Sequence, residues 1–381
     1  MTMGRRKFMK VARWYGRRDI RVESVPVPSP APGTVRVKVT WAGICGSDVH
    51  EFVAGPILIS SDEPHPLTGK KAPLVIGHEF GGYVSDVGDG VEGIHVGDRV
   101  AVSPLLSCGE CVYCQMGRPN LCLRSAYMGF NADGGMAGYI VVPAENLYVL
   151  SDEIEDYVMA FGEPVAVAVH AIRKSGFRKG MNVAIVGGGT IGLLIAQLVK
   201  LQGASRVFLF EKSENKRKLI KSLDMPIDYI LNPLENSDME RLKSLTGGLG
   251  ADVAFDAGGS RVTPDILSLD SMYQNSLNVA LKAVRRGGPV VMVAVHYIQR
   301  SIFDFLDVLR FEKAIIGSWI FNPDDFKQAI DILKSRNLNL RQMITGMIHI
   351  DEIVEKGLLE LELNGDKHIK ILVTPHHEYI E

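Results

Sequence analysis

Residues 182–192 of this chain read NVAIVGGGTIG, an apolar segment that runs directly into a glycine-rich turn. Gly187, Gly189 and Gly192 satisfy the pattern G-x-G-x-x-G. In that pattern the first glycine permits a tight turn, the second lets the backbone approach a pyrophosphate, and the third lets a helix pack close to the strand. A tight turn without a ligand is the alternative interpretation. Because a strand pattern precedes the turn and a helical pattern follows it, the stretch predicts a dinucleotide-binding unit.

A carboxylate stands where such a unit needs one. Glu211 closes the next predicted strand, 206–211, and lies 19 residues after Gly192. This spacing suits hydrogen bonds to the adenosine ribose hydroxyls, and the negative charge would repel the 2′-phosphate of NADP. NAD is therefore the expected cofactor. The basic residues Lys212 and 216–218 are an alternative phosphate clamp, although a solvated helix face is the simpler interpretation for most of them.

Strand patterns recur through the second half of the chain. Short apolar runs lie at 251–257, 289–295 and 314–320. Because helical patterns separate them, they predict an α/β fold with a parallel, doubly wound sheet. The residues before about 160 are instead rich in valine and glycine, with short alternating runs. The length of 381 residues suggests two domains. We expect a β-rich domain, an α/β domain inserted after it, and a return of the chain with a last strand at 368–373.

Composition excludes several kinds of partner. The formal net charge of −2 gives no sign of nucleic-acid binding. The most apolar run, 183–199, contains four glycines and is too short to span a membrane. No secretory signal is recognisable at the N-terminus. We therefore expect a cytoplasmic protein with a small-molecule partner, whose thiols stay reduced.

Four of the five cysteines form one compact cluster. Cys108, Cys111, Cys114 and Cys122 follow the spacing C-x2-C-x2-C-x7-C. Closed four-thiolate sites are typical of structural zinc. Disulfides or free buried thiols are the alternatives, and both are unusual for clustered cysteines in a reducing compartment. The cluster therefore predicts a structural zinc site.

The fifth cysteine belongs to a second, more dispersed set. Cys45 lies between two glycines, His78 and Glu79 follow an apolar segment, and Glu163 precedes another apolar run. Each residue alone is explained by ordinary burial or a surface position. Together, a thiolate, an imidazole and a carboxylate make a reasonable open catalytic zinc site. Asp48 is a candidate partner for the imidazole.

These motifs occur together in one known family. Along the chain these motifs stand in this order: the run CGSDVH at 45–50, the segment Gly77-His78-Glu79-x2-Gly82-x5-Gly88-x2-Val91, the cysteine cluster, Glu163-Pro164 and the glycine turn. In this combination the chain resembles the zinc-dependent medium-chain alcohol and polyol dehydrogenases. Within them it is most similar to the (R,R)-2,3-butanediol dehydrogenases, or acetoin reductases, because of the segments 50–57 and 64–68.

The resemblance implies a domain layout. Residues 1–163 and 318–381 would form a GroES-like catalytic domain, and residues 164–317 a Rossmann domain that binds NAD. The active site would lie in the cleft between them. The stretch 262–275 is longer than the family leads us to expect, and the tail 375–381 is unassigned.

The resemblance also implies residue roles. Cys45, His78 and Glu163 would hold the catalytic zinc, with Glu79 as a supporting group or an exchanging ligand. Ser47 would accept the substrate proton, and His50 would pass it to solvent. Positions that match cofactor contacts, besides the three glycines, are Ile191, Glu211, Lys216, Val295 and Trp319. Each chain would then carry two zinc ions and one NAD.

The implied reaction is hydride transfer between NAD and a small secondary alcohol or vicinal diol, such as 2,3-butanediol, with acetoin as the ketone. Sorbitol or other polyols and L-threonine are alternative substrates. An alternative of another class is a zinc-stabilised nucleotide-binding protein without turnover. Family members are homodimers or homotetramers, and the strand pattern at 314–320 is a candidate for pairing across a dimer.

Overall fold

Parallel strands form the centre of the second half of the chain, as the alternating pattern predicts. The structure is a computed structural model and describes residues 7–259, 275–295 and 303–380. The strands of the first part are β1 (Phe8–Gly16), β2 (Asp19–Pro26), β3 (Thr34–Gly43), β4 (Leu74–Val75), β5 (Glu79–Val87), β6 (Arg99–Val102), β7 (Leu105–Leu106), β8 (Ala126–Tyr127), β9 (Tyr139–Pro143) and β10 (Leu147–Val149). The remaining strands are β11 (Asn182–Val186), β12 (Arg206–Phe210), β13 (Tyr229–Leu231), β14 (Val253–Asp256), β15 (Pro289–Met292), β16 (Ala314–Gly317), β17 (Ile344–His349) and β18 (Lys370–Thr374).

Helices lie between these strands. The α-helices are α1 (Gly46–Ala54), α2 (Val112–Gln115), α3 (Gly162–Ser175), α4 (Thr190–Leu201), α5 (Glu214–Ser222), α6 (Asn236–Leu245), α7 (Ser276–Ala283), α8 (Phe305–Arg310), α9 (Pro323–Lys334), α10 (Leu340–Met343) and α11 (Glu360–Asn364). Shorter 3-10 turns lie at Pro119–Leu121, Ala144–Asn146, Asp156–Phe161, Ile350–Glu352 and His377–Tyr379, and a π-helical segment at Ile353–Leu359. No helix in the described part of the chain combines the length and the apolar character that crossing a bilayer requires.

The six-stranded sheet has the order β13-β12-β11-β14-β15-β16, and all its pairs are parallel. Numbered from β11, this is the order 3-2-1-4-5-6 of dinucleotide-binding folds. The order reverses beside β11, and ligands bind at such a reversal, beyond the carboxyl ends of the strands. The predicted α/β class is confirmed, and the glycine turn after β11 lies at the position where a dinucleotide would bind.

The predicted elements agree with the structure closely, apart from their ends. β11 covers the apolar segment that precedes the glycine turn, as predicted. The patterns at 251–257, 289–295 and 314–320 correspond to shorter strands. The apolar residues beyond each strand continue into loops, where backbone pairing stops before the hydrophobic pattern does. The three-residue strand β13 has no counterpart among the predicted elements, because so short a run contains too few alternations to detect.

The β-rich part is built from both ends of the chain. A seven-stranded sheet has the order β10-β6-β5-β3-β18-β17, with β9 also paired to β3. The C-terminal strand β18 pairs antiparallel with β3, where Leu372 lies opposite Gly43. The expected return of the last strand is therefore present. The proposed boundaries at 163/164 and 317/318 remain a prediction, and all but one residue of the stretch 262–275 lies outside the described residues.

A buried carboxylate joins the two helices that flank the sheet domain in sequence. Asp325 in α9 accepts hydrogen bonds from His170 Nδ1 (2.8 Å) and from Arg173 (2.7 Å), both in α3. The same carboxylate accepts from the backbone N–H of Asn322 (2.8 Å) and so closes a capping box at the start of α9. Burial alone would raise the pKa of Asp325, but these hydrogen bonds and the charge of Arg173 together hold it below its usual value.

Replacing this carboxylate by an amide should destabilise the protein in a pH-dependent way. We expect Asp325→Asn to lower the free energy of unfolding at pH 7 by about 2–3 kcal/mol, because charged hydrogen bonds are lost. The folded-state pKa lies below the unfolded value of 3.8, so the carboxylate stabilises the fold above that pH. Its contribution is lost as the pH falls through the folded-state pKa, so the difference from the unaltered protein should shrink there.

Urea unfolding at pH 7 and at progressively lower pH measures this difference. Asp324→Asn, at the exposed neighbouring position, is the matched control and should have little effect. Equal destabilisation by both variants would contradict the assigned role of Asp325.

Candidate active site

Cys45 directly precedes helix α1, and the start of this helix sets the position of the Cys45 sulfur. Cys45 is the N-cap residue, and its side chain accepts from the backbone N–H of Asp48. In return, Asp48 Oδ2 accepts from the backbone N–H of Cys45 at 2.9 Å. This capping box fixes the position of the Cys45 side chain at the start of the helix.

His78 lies against this helix start. Its Nε2 is 3.4 Å from Ser47 Oγ, and its Nδ1 is 3.5 Å from Asp48 Oδ1. The latter distance is too long for a hydrogen bond but suits a charge partner. Burial disfavours a proton on His78, but the charges of Asp48 and Cys45 outweigh it and raise the pKa of the ring. The surroundings of His78 therefore favour positive charge.

Glu79 completes a compact set of ligand atoms. One side-chain donor atom from each of Cys45, His78 and Glu79 lies within 4.8 Å of the others. Glu79 begins β5 and faces β3 at Gly43. A side chain at Gly43 would overlap with the carboxylate of Glu79, so the glycine provides the space for it.

Glu79 is also half of a buried ion pair. Lys370, the first residue of β18, donates to Glu79 Oε2 at 2.5 Å and to the carbonyl of Ile44 at 3.2 Å. Both charged side chains are almost completely buried. Lys370 is a functional residue that the sequence analysis does not single out. Its sequence signal is a lysine within the apolar strand pattern 369–373.

Glu163 lies next to this set, at the beginning of α3. It is buried, and its burial raises the pKa of the carboxyl to about 7, with His78 lowering it and Glu79 raising it. Glu163 interacts electrostatically with both residues but is not part of the compact triplet. The structure thus brings together Cys45, His78 and Glu79, with Glu163 beside them, and leaves the choice of the resting carboxylate ligand as a prediction.

The donor chemistry fits a catalytic zinc. A thiolate, an imidazole and a carboxylate are the ligand types of open zinc sites. His78 Nδ1 and Asp48 Oδ1 are buried and lack a hydrogen bond in this structure. A cation on Nε2 would polarise the ring and strengthen the interaction of Nδ1–H with that carboxylate, as partners of metal-bound histidines do. The predicted role of Asp48 is consistent with this position.

The four-cysteine lobe fits a second zinc. Its closest sulfur pairs are Cys108–Cys122 at 3.4 Å, Cys111–Cys114 at 3.6 Å and Cys108–Cys114 at 4.0 Å. Zinc–sulfur bonds of about 2.3 Å in a tetrahedron place sulfurs about 3.8 Å apart. The backbone N–H of Glu110 lowers the pKa of Cys108 to about 6, which favours the thiolate. All five cysteines of the chain are free thiols.

The glycine turn has the close contacts that its pattern requires. Gly187 has φ of 109°, and a side chain there would meet the backbone of Gly258. A side chain at Gly192 would overlap with the carbonyl of Gly187, where α4 packs against the turn. A Cβ at Gly189, by contrast, would meet open space. The second glycine therefore faces the volume that a pyrophosphate would fill.

The predicted adenosine-binding residues differ in where they point. Glu211 accepts from the backbone N–H groups of Gly188 (2.9 Å) and Ser213 (2.8 Å), beside the turn. Lys216 instead donates to the carbonyls of Gly365 and His368, just before β18. Its ammonium therefore holds α5 against the C-terminal segment, and its role as a cofactor contact remains a prediction.

Trp319, which follows β16, contacts the cysteine lobe and the residues beside it. Its Nε1 donates to the hydroxyl of Tyr127 (2.8 Å), and its carbonyl accepts from Asn120 Nδ2 (3.1 Å), within the lobe. Trp319 and Val295 are both partly exposed, and Ile191 is half-buried in the first turn of α4. These exposures are compatible with the predicted cofactor contacts, which stay predictions.

Glu51 is a second buried carboxylate that the sequence analysis does not single out. It lies one residue after His50 in α1 and accepts from the backbone N–H groups of Ile57 (3.0 Å), Leu58 and Ile59 (3.3 Å). The carboxylate thus fixes the loop that follows α1. A glutamate before a Gly-Pro pair is too common a pattern to reveal such a role.

Two family descriptions match most of the chain. The alcohol dehydrogenase GroES-like domain matches residues 31–152, and the zinc-binding dehydrogenase domain matches residues 190–335. The (R,R)-butanediol dehydrogenase of Bacillus subtilis is 35% identical over 97% of this chain and 100% of its own length. This chain belongs to the zinc-dependent medium-chain alcohol dehydrogenases. The expected family, the GroES-like and Rossmann folds, and the expected enzyme class are confirmed.

Other relatives show the breadth of this dehydrogenase family. The sorbitol dehydrogenase of Halalkalibacterium halodurans is 31% identical, over 95% of this chain and 97% of its own. The crystal structure of 2R,3R-butanediol dehydrogenase from Bacillus subtilis superposes with a TM-score of 0.84, at 34% identity over 97% of this chain and 100% of that one. A zinc-binding dehydrogenase from Sinorhizobium meliloti bound to NADP has a TM-score of 0.82, at 30% identity, covering 97% and 100%.

The buried lysine of this dehydrogenase should be essential to its stability. We expect Lys370→Met to lower the free energy of unfolding by about 3–5 kcal/mol, because it leaves the carboxylate of Glu79 buried without its cation. Adding Glu79→Gln should restore much of this loss, since the unpaired charge is then removed.

Urea unfolding at one fixed zinc concentration measures both variants, with Lys367→Met at an exposed position as the control. Additive losses in the double variant would contradict a direct pair between Glu79 and Lys370.

Proposed function

We propose that this dehydrogenase transfers hydride between NAD and a small vicinal diol, with 2,3-butanediol and acetoin as the substrate pair. One observation carries the proposal: two consecutive residues, Ile369 and Lys370, bind the helix after the glycine turn and the metal-ligand set, respectively. Thr190, at the start of α4, donates to the carbonyl of Ile369 at 2.8 Å. The next residue, Lys370, is the partner of Glu79. The place for a nicotinamide cofactor and the place for a catalytic cation are therefore neighbours.

We infer that Cys45, His78 and Glu163 hold the catalytic zinc. Lys370 occupies one oxygen of Glu79, which keeps that carboxylate engaged elsewhere in the resting state. Glu163 is buried beside His78, and a buried carboxyl gains most from a cation close by. Glu79 then remains available as an exchanging ligand when the coordination changes.

The chain supplies a route for the alcohol proton. When bound, zinc supplies the Lewis acidity that favours the ionised form of an alcohol, and NAD is the hydride acceptor. Ser47 Oγ lies near His78 Nε2 and can accept a proton from an alcohol held at the ligand set. His50 is three residues further along α1, on the same face of the helix. Histidine is the side chain most often used to pass protons at neutral pH, so His50 suits transfer of the proton to solvent.

Glu211 supports NAD as the cofactor rather than NADP. Its carboxylate lies beside the glycine turn, bound to two backbone N–H groups. A 2′-phosphate there would meet a negative charge, whereas ribose hydroxyls would find an acceptor. The relative from Sinorhizobium meliloti was crystallised with NADP bound, so we infer that the choice between NAD and NADP depends on local residues.

We assign butanediol rather than sorbitol or L-threonine as the substrate because of two sequence segments that follow the catalytic cysteine. The segments 50–57 and 64–68 are those that resemble the butanediol dehydrogenases, and Glu51 fixes the backbone of the first one. A nucleotide-binding protein without turnover is disfavoured, because Cys45, His78, Glu79 and Glu163 are all present and gathered at one place.

A substrate panel tests this function. Reduction of NAD should be fastest with (R,R)-2,3-butanediol among its isomers, and NADH oxidation should be supported by acetoin. Sorbitol and L-threonine should be poorer substrates, and NADP should replace NAD weakly, owing to repulsion by Glu211. The measurement is the initial rate of absorbance change of the nicotinamide.

Two controls separate the possible outcomes. Prolonged treatment with a chelator should abolish turnover, and zinc should restore it. Cys45→Ser should lower the bound zinc by one ion per chain, which metal analysis measures independently of activity. Faster turnover of sorbitol or L-threonine than of butanediol would assign the enzyme to the alternative substrates.

We also propose that the protein forms homodimers through the open edge of the parallel sheet. β16 ends the strand order, and no other strand in the described part of the chain pairs with its outer side. Next to it, α8 exposes Phe305 and Leu309, each 75% accessible. Apolar side chains beside an open edge favour association with a second copy.

Reduced thiols throughout the chain suit the expected cytoplasmic location.

Charges on this surface should weaken the dimer. We expect the double variant Phe305→Glu and Leu309→Glu to shift the protein toward the monomer, because burying carboxylates in an apolar contact is costly. Light scattering coupled to gel filtration measures the mass. Leu201→Glu, at an exposed position on α4, is the control and should not alter it. An unchanged mass in the double variant would place the interface elsewhere.

A further inference from the structure

A third group of metal-ligand side chains lies outside both zinc sites described above. It contains His349 at the end of β17, Asp351 in the turn that follows, and His377 in the C-terminal turn. One donor atom from each lies within 4.8 Å of the others. His349 is opposite Thr374 in the β17–β18 pair, so the sheet itself brings the C-terminal tail to this position.

The hydrogen-bond geometry around His349 suits a cation. Burial, followed by the neighbouring His377, lowers the pKa of His349. Its Nδ1 accepts from the backbone N–H of Asp351 at 3.3 Å and faces the carboxylate at 3.3 Å. The lone pair of Nδ1 is therefore on the side of the cluster, in a hydrogen bond long enough to be given up at small cost.

The two imidazole rings are stacked, with centroids 3.9 Å apart and planes 8° from parallel. A metal lies near the plane of each imidazole that binds it, so one ring must turn before both can share an ion. His349 is buried, whereas His377 is exposed in a three-residue turn. Rotation of the His377 side chain is therefore the change that completes the site.

We propose that His349, Asp351 and His377 bind a third divalent transition-metal ion, with Zn²⁺ as the best match. Two imidazole nitrogens and one carboxylate oxygen are ligands that Zn²⁺ accepts readily, with water in the fourth position. Bound there, the ion joins the C-terminal turn to the end of β17. This site is independent of the proposed dehydrogenase function, because its residues belong to neither the catalytic set nor the cysteine lobe.

Lys10 allows a second test of the proposal, in which a substitution should strengthen metal binding instead of weakening it. Its ammonium binds Asp351 Oδ2, the same oxygen that faces His349. This hydrogen bond is the largest cause that lowers the pKa of Asp351. Lys10 also places a positive charge next to the incoming metal and competes for the carboxylate. Removing it should tighten metal binding.

The test is titration of Zn²⁺ into the full-length protein by calorimetry, after both established types of site have been loaded and free zinc removed. We expect one further equivalent per chain. His377→Ala should weaken this binding by about tenfold or more, since an exposed ligand is lost without harm to the fold. Lys10→Met should strengthen it. His95→Ala is the matched control, because His95 faces Asp98 at 3.8 Å but belongs to no group of three ligand side chains among the described residues.

Hydrogen exchange gives a readout that does not depend on stoichiometry. Added Zn²⁺ should slow exchange at the amides of residues 376–380 in the unaltered protein and in His95→Ala, but not in His377→Ala. Absence of a further equivalent in the unaltered protein would overturn the proposal. An equivalent retained in His377→Ala would overturn it as well, because the ion would then be bound elsewhere.

Discussion

The ion pair between Glu79 and Lys370 is the interaction on which the active-site region depends. It joins the first residue of β5 to the first residue of β18 across 291 positions of sequence, in a fully buried setting. Neither charge is tolerable there alone, because a lone buried ion is far more costly than a neutral group. The pair therefore forms only when the C-terminal strand has returned beside β3. Its presence links the completion of the catalytic sheet to the assembly of the ligand set.

The same strand carries the connection to the cofactor domain. The carbonyl of Ile369 accepts a hydrogen bond from the hydroxyl of Thr190. Just before it in the sequence, the carbonyls of Gly365 and His368 accept hydrogen bonds from Lys216 in α5. The metal-ligand set, the glycine turn and the end of the chain thus meet within a few residues. An apolar interior makes each of these polar contacts strong, since water does not compete for them. These hydrogen bonds hold the backbone around the ligand set in place, whereas Gly189 borders open space and Trp319 is partly exposed.

Much of this arrangement could be predicted from local patterns. The strand β11 and the cysteine spacing are determined within a few residues, so the sequence contains their full signal. The family motif also placed Cys45 and His78 together. Glu51 and Lys370 escaped prediction because their roles depend on partners that are distant in sequence or belong to the backbone. The orientation of Lys216 was hidden for the same reason, since its acceptors are carbonyl groups 149 and 152 residues away.

The sequence by itself determined the chemistry that is available: a glycine turn for a dinucleotide, four clustered thiols, and a thiolate, an imidazole and carboxylates for a second metal. These features follow from residue type and short spacing. Only the tertiary structure decided that Lys370 binds Glu79, that Glu163 lies beside His78, and that His377 meets His349. The physical reason is that non-local strand pairing, here β18 with β3 and β17, sets these distances, and its register depends on the packing of the whole domain.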